Sequence, residues 1–340
     1  MIYQGTNIDK RFELEKTKSF MCTAICYRCR SSYFGRNLDL EYRYTEELII
    51  TPRNFRLKFN HLPSLEHHYA IIGIGSPMNG YPLYYDAINE YGLGMASLNF
   101  VGFCHTSDKK EEKINLATYE IICYILGCCK STDEAINILK NTNLTNDRFS
   151  YKLPVAQIHF MLSDKRRSIV AEPLENGFRI YNNDAEIMTN DPPFEFHLSN
   201  LKKHFGDELN FNQDDYSKDI KAKAAHPYLP IPSDLSSESR FLRAFAVKSA
   251  SVLKLSEPEA VNQFFHILSS VYHIEGQLKV GTNHKRTQYS SCANLDTLTY
   301  YCKTYSNSRI FSASLARENI MGQDLISYPL LWNEDIKELN

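Results

Sequence analysis

Between residues 156 and 189 the chain alternates short apolar runs with very short links, and this stretch restricts the fold more than any other. The runs are 156–163, 168–173, 177–181 and 186–189; the links include 164–167 and Glu175-Asn176. A parallel neighbour needs a crossover of roughly a dozen residues, whereas links of about two to five residues join antiparallel hairpins. The spacing predicts more strands at 22–27 and 33–38 around a turn at 28–32, at 47–51, at 69–74 and at 93–100. Three others close the chain at 287–294, 299–304 and 309–312. Helical spacing occupies 115–129. Ser131-Thr132-Asp133-Glu134 is a capping signature for a helix over 135–140, and Ser256-Glu257-Pro258-Glu259 opens one that runs to 270. A further helix is expected at 236–251, with loops at 53–68, 141–154 and 202–234. The order strands, helices, strands, helices, strands argues for an α+β protein with antiparallel sheets rather than a βαβ repeat. One domain is expected over 22–340, with the polar, aperiodic residues 1–21 as an extension outside the fold.

Composition removes several function classes. The formal net charge of the 340 residues is -2, from 38 basic and 40 acidic side chains. A balance this even gives no field to attract nucleic acid or an anionic membrane surface. No run approaches the roughly 18 apolar residues of a membrane span, and Lys10, Arg11, Glu13, Glu15, Lys16 and Lys18 interrupt any leader-like stretch. The nine cysteines are odd in number and irregularly spaced. They read as free thiols in a reducing, cytoplasmic compartment.

Familiar cofactor motifs are missing from the sequence. Gly73-Ile74-Gly75-Ser76-Pro77 lacks the third glycine of a dinucleotide fingerprint and carries a proline where a helix should open, so 73–80 reads as a surface loop. Cys26 and Cys29 form one Cys-x-x-Cys pair, but a zinc site needs about four ligands and no second pair follows. His67-His68 reads as a solvated pair. Neither a metal nor a cofactor is expected. What remains is Cys22, directly after Met21. A cysteine at the start of a chain carries a thiol and an α-amine together. With a reference pKa of about 7.7–8.0, that amine is close enough to neutrality to take the thiol proton.

Several motifs in order then support a specific resemblance. Met21-Cys22-Thr23, Phe34-Gly35-Arg36-Asn37-Leu38-Asp39, Thr51-Pro52-Arg53-Asn54-Phe55, Asn89-Glu90-Tyr91-Gly92-Leu93-Gly94, Leu98-Asn99-Phe100, Met188-Thr189-Asn190-Asp191-Pro192, Ser239-Arg240-Phe241 and Thr287-Gln288-Tyr289-Ser290-Ser291 resemble the choloylglycine hydrolase family. That family contains bile salt hydrolases and penicillin V acylases. The resemblance implies an N-terminal-nucleophile hydrolase, a four-layer αββα sandwich of two antiparallel sheets between helical layers. It implies Cys22 as nucleophile, its own amine as base, Asp39 to orient the amine, Arg36 to favour the thiolate, and Asn190, helped by Asn99, to hold an oxyanion. Arg240 would complete the polar ring. Without the resemblance, Arg36 and Asp39 read as an ion pair, Asn99 as a strand end, Asn190 as a turn residue and Arg240 as a solvated helix charge.

The implied substrate is a small-molecule amide. Leu38 and the aromatic stretch 81–85 are candidates to line an acyl pocket. Bile-salt-cleaving members typically carry Asn at the position of Asn99, where some penicillin acylases carry Tyr, so the resemblance points to glycine- or taurine-conjugated bile salts. Penicillin V or an N-acyl amino acid is the alternative on the same scaffold, and a silent acyl- or steroid-binding protein the alternative if residues 1–21 stay attached. Ala24 and Ser97 replace glycines common in the family, which predicts a shifted acyl specificity. The resemblance also implies a homo-oligomer, a homotetramer, with the unusual 202–234 loop bearing on that.

Overall fold

The strand that carries Cys22, β1 (Met21–Arg28), is buried along its six central residues. Its neighbour β2 (Ser32–Leu40) is buried along all nine. Strands buried on both sides must have a layer against each face, and that requirement fixes the architecture. The computed structural model describes residues 21–206 and 231–340. The extension at 1–20 and residues 207–230 of the proline-bearing loop lie outside the described residues, whereas Met21 itself opens β1 and pairs with Asp39.

The remaining strands of the first half are β3 (Glu47–Thr51), β4 (Ile71–Met78), β5 (Tyr81–Asn89), β6 (Gly94–Asn99) and β7 (Ile114–Ala117). Two helices, α1 (Ile121–Cys128) and α2 (Thr132–Leu139), lead to β8 (Thr142–Thr145), β9 (Ile158–Ser163), β10 (Ser168–Leu174), β11 (Gly177–Asn182) and β12 (Ile187–Met188). Helices α3 (Phe194–Phe205), α4 (Ser237–Ala250) and α5 (Glu257–Ser269) precede β13 (Leu278–Val280), β14 (Asn283–Asn294), β15 (Thr299–Thr304), β16 (Asn307–Ser314) and β17 (Ile326–Pro329). One sheet runs β12-β1-β2-β14-β15-β16, with β13 beside β14. The other runs β11-β10-β9-β6-β5-β4-β3-β17. Pairing within both sheets is antiparallel, as the short links require.

Alternation along the second sheet separates two apolar cores. Leu48, Ile50, Ile72, Ile88, Ala96, Met161 and Val170 pack toward the first sheet, in one core with Phe241, Phe245, Phe264 and Phe265 of α4 and α5. Their chain neighbours Ile49, Ile71, Ala87, Met95, Leu162 and Ile169 pack with Ile121, Ile125 and Leu126 of α1 and Ala135 and Leu139 of α2. The period of two that makes a strand thus produces the four layers: helices, sheet, sheet, helices.

Several sequence expectations are corrected. The glycine stretch 73–80 is not a loop: most of it is β4. Gly73 is required there because a Cβ would stand 2.2 Å from Asp86 O and 2.4 Å from Ala87 Cβ. Asn79 and Gly80, with φ of 52° and 71°, turn the chain into β5, an Asn-Gly hairpin signal. Consequently the aromatic stretch 81–85 is strand, and Asp86 follows it within β5. The helix expected over 115–129 begins only at Ile121, because 114–117 pair in parallel with β8, inside the expected 141–154 loop. Helix α3 and strand β17 were not anticipated. His68 is buried, its ring nitrogens each 2.8 Å from a carbonyl oxygen, of Tyr69 and Phe55, while His67 is exposed.

Candidate active site

The register of β1 on β2 places the candidate side chains. Cys22 is opposite Leu38 and Ala24 opposite Arg36, so these four share the face turned to the second sheet. There the Arg36 guanidinium donates to Tyr85 O at 3.3 Å and to Ser97 O. Thr23, Asn37 and Asp39 take the opposite face, under α4 and α5. Asn37 Nδ2 donates to Leu268 O at 3.0 Å.

Two candidates far apart in sequence meet at Cys22, and a third, Asn99, joins them through Asn190. The Cys22 N–H donates to Asn190 Oδ1 at 2.6 Å. Arg240, in the first turn of α4, donates to Cys22 O at 2.6 Å and Thr23 Oγ1 at 2.8 Å through Nη1, and to Asn190 Oδ1 at 2.9 Å through Nη2. This guanidinium is 0% exposed, which overturns its reading as a solvated helix charge. Asn190 Nδ2 donates to Asn99 O at 3.0 Å, so the contact of Asn99 with this group is made by its backbone carbonyl. Leu38 is buried directly across from Cys22. The Ser97 hydroxyl donates to Tyr85 O at 3.2 Å.

The electrostatics favour a thiol that waits for a base. Burial pushes the Cys22 thiol above its ordinary pKa. Arg36 and Arg240 work against this, the Asp39 charge adds to it, and burial prevails. The expected effect of Arg36 therefore has the right sign but does not win. Burial also opposes the charge of Arg36, yet Cys22, Tyr289, Asp86 and Asp39 hold it firmly cationic. Burial would raise the Asp39 carboxyl, but His273, Arg240 and the Thr287 hydroxyl together hold it below its usual range. A buried carboxylate supported this way stays ionised near neutrality.

Residues that sequence reasoning did not single out support the site. Asp86 accepts from Tyr289 at 2.6 Å, from Ser291 at 2.8 Å and from Tyr300, and the Arg36 N–H donates to Ser291 Oγ at 3.1 Å. The segment bearing Asn190 is held by His197 Nε2 on Asn190 O and His159 Nε2 on Thr189 O, both at 2.9 Å. The Asn190 N–H donates to Ser237 Oγ at 2.9 Å. A polar residue inside an otherwise apolar strand was the available signal for Asp86 and His159. All nine cysteines are unpaired thiols, and the Ser163 hydroxyl donates to Cys26 Sγ at 3.3 Å. Among the described residues, no group of three or more His, Cys, Asp or Glu side chains could hold a metal ion. No helix among them is long and apolar enough to cross a membrane.

Comparisons with known proteins agree with this geometry. Residues 22–328 match the family described as linear amide C-N hydrolases, choloylglycine hydrolase family. A bile salt hydrolase/transferase from Lactiplantibacillus plantarum is 41% identical over 314 residues, covering 91% of this chain and 97% of that protein. The crystal structure of a variant conjugated bile acid hydrolase from Clostridium perfringens superimposes with a TM-score of 0.83 at 29% identity, covering 94% of this chain and all of that one. Penicillin V acylase from Agrobacterium tumefaciens shares the fold, with a TM-score of 0.71 at 17% identity and 91% of each chain covered. The match begins at Cys22, the residue around which the buried polar ring closes, and the chain belongs to the choloylglycine hydrolase family of linear amide C–N hydrolases.

Proposed function

We propose that this protein is a cysteine amidohydrolase that cleaves glycine- or taurine-conjugated bile acids in a form beginning at Cys22. The observation that carries the reading is the 41% identity to a bile salt hydrolase/transferase over nearly the whole of both chains. The α-amine of Cys22 takes the thiol proton and the sulfur attacks the amide carbonyl. Asn190 Nδ2 holds the oxyanion that forms, in line with the preorganised amide donors of other acyl-transfer sites. The amine returns its proton to the departing nitrogen of glycine or taurine, leaving a thioester. Water then attacks the thioester, its proton goes back to the sulfur through the amine, and the free acid leaves. Asp39 orients the amine, Arg36 steadies the thiolate, Arg240 holds Asn190, and Leu38 and Asn99 border the substrate. The domain spans 22–340, the active form lacks residues 1–21, and the enzyme works as a cytoplasmic homotetramer. Ala24 and Ser97 shift its acyl preference.

The test combines the N-terminal residue and intact mass of the active protein with hydrolysis of glycocholate, taurocholate, penicillin V and N-acyl amino acids. The expected result is a chain starting at Cys22 that cleaves a conjugated bile acid, with Cys22→Ser folded but inactive. Full activity in a protein retaining residues 1–21, or in Cys22→Ala, refutes the mechanism. Sedimentation velocity decides the tetramer.

A further inference from the structure

His273 lies in the turn that follows α5, and nothing in the reaction as written uses it. Its side chain and that of Asp39 are both 0% exposed, with Nδ1 3.0 Å from Asp39 Oδ2. The other carboxylate oxygen, Oδ1, accepts from the Thr287 hydroxyl at 2.6 Å. Thr287 is also what fixes His273. The His273 N–H donates to Thr287 Oγ1 at 2.9 Å, and the Thr287 N–H donates back to His273 O at 3.0 Å. A hydroxyl has one proton to give; here it goes to Asp39 while the oxygen accepts from His273, so the donors and acceptors of this ring are consistent. The two bonds between His273 and Thr287 hold the His273 main chain against β14. Asp39 thus accepts the Thr287 hydroxyl on Oδ1 and has the His273 imidazole against Oδ2, both brought there by the chain between α5 and β14, although neither is near it in sequence.

We propose that His273 is a positioning residue for the chemistry at Cys22: with Thr287, it fixes the direction and charge of the Asp39 carboxylate, which in turn sets the Cys22 amine. The inference rests on the amidohydrolase reading above. Other charged or titratable groups face this pair from each element packed on it. They are Cys22 on β1, Arg240 on α4, Tyr272 beside His273, and Lys285 on β14, whose ammonium is 3.6 Å from Glu41 just beyond β2. Of these, Arg240 is already bonded to Cys22, Thr23 and Asn190, and Lys285 is paired with Glu41. Neither is free to replace the imidazole on Oδ2.

The experiment compares His273→Met, His273→Asn and the wild type, each shown by intact mass to begin at Cys22, with folding checked by circular dichroism. His273→Met removes the imidazole at similar bulk. Its kcat is expected to fall about tenfold, the cost of one lost buried orienting contact, with KM nearly unchanged. The acidic limb of its kcat/KM profile moves up by about one pH unit, because His273 is among the groups that hold the Asp39 carboxyl below its usual range against burial. His273→Asn puts an amide donor near the place of Nδ1. It restores much of kcat while leaving the limb shifted, a split that a purely structural role would not produce. Wild-type kcat and an unmoved limb in folded His273→Met overturn the proposal. If that variant does not fold, His273→Asn decides alone: an unshifted limb overturns it.

Iodoacetamide labelling of Cys22, followed by peptide mass at several pH values, needs no substrate. Slower labelling in the variants supports the proposal, and identical rates overturn it. A wild type that cleaves no conjugated bile acid refutes the substrate reading, and the labelling comparison still decides the role of His273.

Discussion

Replacing Arg240 with Met tests the central claim that one buried guanidinium organises the site. Arg240 donates to Cys22 O, Thr23 Oγ1 and Asn190 Oδ1, and these acceptor residues are 2%, 0% and 3% exposed. Water cannot easily substitute for the lost donors. A buried polar group left unsatisfied costs about 1–3 kcal/mol, so three at the low end already reach about 3 kcal/mol. Some of this is offset because the cation's own desolvation is relieved; burial is what lowers its pKa despite Asp39 and Cys22 nearby. Asn190 Oδ1 also keeps the Cys22 N–H. The expected net loss is about 3–5 kcal/mol, read as a lower urea midpoint with an unchanged m value. Amide hydrolysis should collapse as well, because Asn190 loses one of the two donors to its oxygen and the Cys22 carbonyl loses its donor. Arg243→Met is the control: that half-buried arginine bonds the carbonyls of Ser270 and Pro232, both at 2.7 Å. If Arg240→Met costs no more than Arg243→Met, the guanidinium is not the organiser and the argument fails.

Three further outcomes are predicted. Gly35→Ala should destabilise by about 3 kcal/mol, since its Cβ would stand 2.1 Å from Ser291 O on the adjacent strand; Gly80→Ala, with open space but a φ of +71°, should cost only about 1 kcal/mol, and equal urea midpoints would contradict the crowding. Burial lowers His197 from 6.5 to about 4, so the unfolded chain binds its proton first as the pH falls, and stability drops between about pH 6.5 and 4 before levelling off. His197→Gln keeps a donor for Asn190 O but should flatten that slope by roughly 3 kcal/mol, measured as urea midpoints across the range; an unchanged slope would show that His197 does not drive it. Asp86→Asn should cost about 2 kcal/mol and lower kcat, because an amide N–H would confront one of the hydroxyl donors of Tyr289, Ser291 and Tyr300; wild-type values for both would remove this network from the support of Arg36.

How far the sequence could be read depended on the range of the forces involved. Hairpins were legible where a short link fixes the neighbour, as at 164–167 between β9 and β10. Helices α2 and α5 were legible from their starts, and Ser131 accepts from Glu134 N as an N-cap does; Ser236, which caps α4 by accepting from Ser239 N, was not read as one. The reading failed where the decisive partner is distant. Residues 114–117 have helical spacing but become a strand because β8 offers a parallel edge. Gly73 and Gly75 look like loop residues, yet they are glycine because β5 crowds them.

By itself the sequence determined the family and singled out Cys22 as its candidate nucleophile. Cys22 after Met21, with Arg36 and Asp39 at fixed spacing, is a local pattern, and alternation of apolar residues is enough to call for antiparallel sheets. Tertiary structure alone decided how those residues are used. It put Arg36 and Asp39 on opposite faces of one strand, because successive side chains of a strand point opposite ways and both faces are covered here. It brought Asn190 and Arg240 to the Cys22 backbone, and His273 and Thr287 to the two oxygens of Asp39. Those contacts span most of the chain, and they are set by sheet pairing and helix packing, which no local window of sequence contains.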